Sequence, residues 1–284
     1  MSSHGHGWGS RPGCMTRPII TLTTDFGVAS PYVAEMKAAI LRVNRDPRLI
    51  DISHGIRPRN IRHGAVVLET VTPHFPAGTI HVAVVDPGVG TERRIVYCQI
   101  GEQHYIAPDN GLLSLVARRD HCRRIVAVED PRYWHQPVSA TFHGRDIMAP
   151  VAGHLSGGLD PRQLGPARAE LLDFRWPEVQ SDDQHIRGAI LWIDAFGNLV
   201  TNVDAARLPD GIDPDRLHVS CRGRSCETWV PCYGHAVPGT LVALIGSSNR
   251  LEIAIGNGNA ARALGASEGD PIDIHWPTAD PLDS

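Results

Sequence analysis

The sequence predicts an α/β N-terminal domain with a central, largely parallel sheet, followed by a small C-terminal β-barrel domain. Three observations carry that prediction. Strand-like and helix-like segments alternate to about residue 158, the pattern of a sheet covered by helices. From about residue 186, short apolar runs follow one another between turns and helical periodicity nearly vanishes, the pattern of a barrel or sandwich. Five polar motifs punctuate these runs: TTDFG at 23–27, VVDPGVGTERR at 84–94, APDNGLL at 107–113, TFHGRD at 141–146 and IDAFGNLVTN at 193–202. Most place a carboxylate beside a glycine at the end of an apolar run, where open α/β sheets bind ligands and glycine lets backbone approach them.

Residues 18–24, PIITLTT, read as a first buried strand. YVAEMKAAILRVN, at about 31–43, carries apolar residues at helical spacing. LIDIS at 49–53 is a short second strand, and a helix at about 60–72 gathers Ile61, Ala65, Leu68 and Val71 on one face. TIHVAVVD at 79–86 is β-branched with no long polar face, which predicts a central strand buried on both sides. IVYCQI and HYIAPD are strands joined through Gly101-Glu102-Gln103; GLLSLVARR is a helix, RIVAVED a strand, and 142–157 a helix that starts near His143. GAILWIDAFGNLVTNVD, LHVSC, CETWVPC, TLVALIGS, RLEIAIG and PIDIHW supply the later strands. The chain thus divides into a disordered tail over 1–17, an α/β domain over 18–178 and a β-barrel domain over 186–278, with the boundary in a polar stretch around Pro177.

Composition removes several classes of function. The 284 residues are 42% hydrophobic and 20% charged, as a globular protein with a real core requires. A net charge of −4 without a basic stripe argues against nucleic acid as a partner, and 6% aromatic residues against a stacking platform. No apolar run reaches the length of a membrane span, and the N-terminus lacks the apolar region of a signal peptide. Six dispersed cysteines read as cytoplasmic thiols. Cys221, Cys226 and Cys232 with His235 lack a C-x-x-C pair and read as a hairpin with small buried thiols, without metal. DFG and HGRD stand in the reverse of the kinase order, and GNGNAA at 256–261 is a broken dinucleotide fingerprint.

Asp25, Asp86, His143, Asp194 and Asn198, in the motifs above and in this order, together with GSSNRLEIAIGNGNAA at 246–261, give a specific set. On these residues the chain resembles the S-adenosyl-L-methionine (SAM) hydroxide adenosyltransferase family, the SAM hydrolases, related to the 5′-fluorinase and chlorinase enzymes. The resemblance runs from about Ile19 to Ile274. It implies conversion of SAM and water to adenosine and L-methionine without a cofactor, in homotrimers whose active sites lie between the N-domain of one subunit and the C-domain of the next. By resemblance Asp86, Arg93 and His143 surround the attacking water, Asp25 binds the ribose hydroxyls, Asp194 the methionine ammonium, Asn198 the adenine and Ser247 the methionine carboxylate. The residue types suit the chemistry. Attack at C5′ displaces a neutral thioether from a sulfonium, so no general acid is needed. An arginine favours hydroxide by its charge, while an aspartate and a histidine can orient the water and accept its proton.

Two departures from the family pattern stand out. Gly144 occupies the position where halogenases carry a serine, which points to water as nucleophile. Gly246-Ser247 and Asn249-Arg250 replace the usual pairs before the LEIA strand, which leaves the adenine and methionine contacts open. The rival readings are a halide-using adenosyltransferase, a SAM or adenosine sensor without turnover, and a metal-dependent hydrolase.

Overall fold

The computed structural model describes residues 17–209 and 214–277 and divides into two compact units between Asp173 and Phe174. The tail expected over 1–17 lies, up to residue 16, outside the described residues.

The first unit runs β1 (Ile19–Thr24), α1 (Tyr32–Val43), β2 (Arg48–Ser53), α2 (Ile61–Val71), β3 (Ile80–Val84), β4 (Ile95–Ile100), β5 (Gln103–Pro108), α3 (Ser114–Arg119), β6 (Cys122–Ala127) and, after a π-helical turn at Gly144–Met148, α4 (Ala149–Ser156). Its sheet has the order β2-β1-β3-β5-β4-β6. β3 is central and wholly buried, as its composition predicts. Successive side chains along it feed two cores: Ile80, Val82 and Val84 pack with Met36, Ile40 and Val151 of α1 and α4, while Ala83 and Val85 pack with Leu68 and Val116 of α2 and α3. Layers on both faces therefore hold the end of β3, where Asp86 follows.

The sheet is mixed rather than largely parallel. β2, β1, β3 and β5 run parallel, but β4 is antiparallel to both β5 and β6. The cause is local: β4 and β5 are joined by Gly101 and Glu102 alone, with Gly101 at φ +56°. A two-residue link of that shape can only reverse the chain.

The second unit comprises β7 (Gln180–Ser181), β8 (His185–Ile193), β9 (Leu199–Asp204), β10 (His218–Cys221), β11 (Arg224–Ser225), β12 (Thr228–Trp229), β13 (Leu241–Ile245), β14 (Arg250–Ile255), α5 (Ala260–Leu264) and β15 (Pro271–His275). The strands form a curled sheet in the order β11-β10-β15-β8-β9-β14-β13-β12, with β7 beside β8. Register breaks at Ile190/Trp192 in β8 and Arg250/Glu252 in β14 mark bulges that bend it around a core of Ile186, Ile190, Leu199, Val203, Leu251, Ile253 and Ile272. The expected barrel is only partly realised. Among the described residues no pairing joins β11 to β12, and each of these end strands has two residues.

One close approach in the first unit has a direct consequence. Gly90, in the loop after β3, sits at φ +77°, and a Cβ there would lie 2.3 Å from the carbonyl oxygen of Ala140. Gly78 has the same backbone (φ +78°) with open space around it. Gly78→Ala should cost about 1–3 kcal/mol for the left-handed backbone alone. Gly90→Ala should cost clearly more, because loop and backbone oxygen must also part. Calorimetric melting of both variants checks this; equal losses would show that the contact with Ala140 is slack.

Candidate active site

Asp86 follows β3 directly, and its loop returns within seven residues to present Arg93 to it. Arg93 Nε donates to both carboxylate oxygens of Asp86 at 2.9 Å, and its Nη2 donates to Oδ2. The two side chains are 5% and 11% exposed, so this bidentate pair is nearly out of water. The neighbouring Arg94 turns elsewhere, to Asp109 at 3.0 Å. Asp109 also accepts the backbone N–H of Leu172 at 2.8 Å, and Asn110 donates to the carbonyl of Val85 at 2.9 Å. The APDNGLL motif is thus a brace under Asp86.

Arg93 Nη2 also lies 3.0 Å from His143 Nδ1. A guanidinium can only donate, so Nδ1 accepts and the neutral ring carries its proton on Nε2. Burial first, and then the charge of Arg93, hold the His143 pKa below its ordinary value. The imidazole therefore faces outward as a hydrogen-bond donor. To take up a proton there, it must first exchange tautomer.

His143 leads into the π-helical turn Gly144–Met148, and Pro150 explains why that turn is wide. Pro150 lacks the N–H that would bond the carbonyl of Asp146 in an α-helix, and that carbonyl instead accepts the N–H of His135 at 2.7 Å. The Asp146 side chain is fully buried. Burial pushes its pKa up, but hydrogen bonds from Arg145 and from the backbone N–H of Ser139 outweigh that and hold the carboxyl below its usual range. Arg145 also reaches Glu35 of α1 at 2.7 Å and lies over the Phe142 ring. Phe142, Phe26 and Tyr32 meet edge to face at 5.3–5.7 Å.

Asp25 lies in the turn after β1 and accepts the backbone N–H of Arg59 through Oδ2 at 2.7 Å. Asp25, Asp86, His143 and Gly144 line one cleft of about 80 Å³ with Phe26, Arg59, Val84 and Phe142. A larger cavity of about 490 Å³ lies over α1 and α4 and includes none of the site residues expected from the sequence.

In the second unit, Asp194 and Asn198 form the turn between β8 and β9. Asp194 Oδ1 accepts the N–H of Phe196 at 2.9 Å and of Asn198 at 2.8 Å, and Oδ2 accepts the Asn198 amide at 2.9 Å. Gly197 in this turn is at φ +88°, and a Cβ there would strike Asn259 at 2.1 Å. Asn259 caps α5 by accepting the N–H of Arg262 at 2.7 Å, and Ala261 N–H bonds the carbonyl of Gly197 at 2.9 Å. The GNGNAA segment thus seats a short helix on the Asp194 turn. Ser247 is exposed in the turn between β13 and β14.

Sequence reasoning missed Glu252 and Tyr233, which no motif links. Glu252 is buried at 5% exposure and accepts the Tyr233 hydroxyl. Burial, with the nearby charge of Asp194, raises its pKa. Of the cysteine cluster, Cys221 is buried, but Cys232 is exposed and lies 3.0 Å from His235 Nδ1, so it is not the buried thiol expected. Among the described residues no three His, Cys, Asp or Glu side chains are grouped to hold a metal ion.

Comparison with known proteins agrees with this layout. Residues 20–165 match the SAM hydroxide adenosyltransferase N-terminal domain, and residues 188–273 the C-terminal domain. A protein of Thermus thermophilus named (R)-S-adenosyl-L-methionine hydrolase is 37% identical, over 91% of this chain and 99% of that protein. A protein of the same name from Methanocaldococcus jannaschii is 36% identical, over 90% and 95%. A fluorinase of Nocardia brasiliensis is 29% identical over 66% of this chain and 71% of its own. The crystal structure of an uncharacterized conserved protein from Thermotoga maritima superposes with a TM-score of 0.84 at 33% identity, over 90% of this chain and 99% of that one. With both domains matched in order and hydrolase relatives aligned nearly end to end, the chain belongs to the SAM hydroxide adenosyltransferase family.

Proposed function

We propose that this protein hydrolyses SAM to adenosine and L-methionine by attack of water at C5′. The observation that carries the reading is the linked row Asp86–Arg93–His143 at a cleft that also holds Asp25, in a chain of this family. The C5′–O bond forms, the C5′–S bond breaks, the bonding electrons stay on sulfur as a neutral thioether, and one proton leaves the attacking oxygen for solvent. No acid has to serve the leaving group.

What the residues supply is orientation in a site with little water. Orientation of a bound nucleophile is worth about 7–11 kcal/mol in well-aligned cases. Arg93 attracts an oxygen that gains negative charge, while Asp86 balances its charge and spares the sulfonium a bare cation. His143, neutral and protonated on Nε2, offers a donor to the same oxygen. The Asp25 carboxylate matches the two ribose hydroxyls.

The cleft of about 80 Å³ is far smaller than the roughly 300–1,000 Å³ of ordinary ligand pockets. That supports the reading in which Asp194, Asn198 and Ser247 of a neighbouring subunit complete each site in a homotrimer. Asp194 then takes the methionine ammonium, Ser247 the methionine carboxylate, and Asn198 with the exposed ring of Phe196 the adenine. Free thiols throughout the described residues suit a reducing cytoplasm as its place of work. The step as written draws on no metal or cofactor.

Incubation with SAM in ¹⁸O-water, with and without chloride and EDTA, tests the reading. The expected products are methionine and adenosine labelled at the 5′ oxygen, independent of both additions. Bound, unconverted SAM would make the protein a sensor, and 5′-chloroadenosine would make it a halogenase. Arg93→Ala and His143→Ala should cut kcat about 10²-fold or more with little change in SAM affinity, whereas Asp25→Ala should chiefly weaken binding. Equal loss of folding in all three, read by melting, would remove these roles. A protonated His143 cannot accept from Arg93 and adds a second cation beside it, so the neutral ring is the active form. Because its pKa is lowered, kcat/KM should hold through neutral pH and fall only below the ordinary histidine value of 6.5. An acid limb centred above that value would overturn the assignment.

A further inference from the structure

Glu252 is the only buried acidic residue of the second unit among the described residues. On β14, Leu251 and Ile253 enter the main core, while Ala254 joins Val230, Val242 and Leu244 in a small apolar cluster on the other face. Strand alternation puts Glu252 on that second face. A carboxylate among apolar side chains is expensive unless its oxygens are engaged.

Both oxygens of Glu252 are placed against specific groups. Oε2 accepts the hydroxyl of Tyr233, nineteen residues away on a separate turn. Oε1 occupies the space above Gly246, where a Cβ would lie 1.8 Å from it. Gly246 opens the tight turn that carries Ser247. Its N–H bonds the Arg250 carbonyl at 2.9 Å, and its carbonyl accepts the Asn249 N–H at 3.0 Å. Asp194 is close enough for its charge to raise the pKa of both Glu252 and Tyr233. The Tyr233 ring remains 48% exposed although its hydroxyl points inward.

We propose that Glu252 is a positioning residue that ties Tyr233 and the Ser247 turn into one rigid wall of the SAM site beside Asp194. Glu252 touches no substrate atom in this scheme. It removes freedom from two segments that would otherwise have to be ordered on binding, so its loss should appear in KM. The inference rests on the SAM reading above.

The test is steady-state kinetics with SAM for wild type, Glu252→Gln, Glu252→Ala, Tyr233→Phe and the Glu252→Ala/Tyr233→Phe double variant, with a melting curve for each. Glu252→Ala and Tyr233→Phe should each raise KM about tenfold, one lost hydrogen bond, and leave kcat within about twofold. Glu252→Gln should stay near wild type, because its amide oxygen still accepts the Tyr233 hydroxyl. The double variant should be no worse than Glu252→Ala, since both remove one contact. Additive losses, kcat falling in step with KM, or an unchanged KM would each overturn the proposal. If Glu252→Ala does not fold, Tyr233→Phe decides it, because an unchanged KM there excludes the tie. Wild-type enzyme that leaves SAM intact would overturn the SAM reading instead, which separates the two failures.

Discussion

The bidentate ion pair between Asp86 and Arg93 is the interaction on which the proposed site depends. Both charges are nearly removed from water, so neither is tolerable alone; breaking such a pair costs about 3–5 kcal/mol. The loop that joins them therefore has little choice of shape. It must return in seven residues and pass tightly beside Ala140, the segment that leads to His143. One ion pair thus sets where Arg93 stands, which arginine of the adjacent pair enters the cleft, and which nitrogen of His143 is occupied.

A second constraint comes from the other side. His143 stands at the head of a turn widened by Pro150, and the buried Asp146 locks that turn to Arg145 and to the Ser139 backbone. Arg145 carries the lock on to Glu35 of α1. The imidazole is held from behind by a buried charge network and from the side by Arg93, so little of its orientation is left for the substrate to fix. Wide turns of this kind recur at functional sites because they re-aim one side chain without ending the helix.

Much of this was legible in the sequence where the determinant is local. β3 reads as central because five consecutive residues have no polar face, and the turns at Asp25 and Asp194 read as turns because a carboxylate precedes a glycine. What was not legible depends on partners distant along the chain. Gly101-Glu102 announces a hairpin, yet nothing near it says that β6 joins the far edge of β4 and leaves the sheet mixed. Barrel closure would require pairing between β11 and β12, and two-residue strands carry no pattern to read. Glu252 looks like any strand glutamate until Tyr233 folds over it. The tautomer of His143 follows only from the distance to Arg93.

Asp194 shows why a structural and a functional reading of one residue need not compete. Its carboxylate organises the β8–β9 turn through three hydrogen bonds, two at Oδ1 and one at Oδ2. A carboxylate offers about four acceptor positions, two on each oxygen, so Oδ2 keeps capacity for one further donor. An ammonium group could bind there without dismantling the turn. The three existing bonds would then hold the carboxylate in place beforehand, so that binding does not have to spend free energy on ordering it. The Asx turn is in this sense the condition for the binding role.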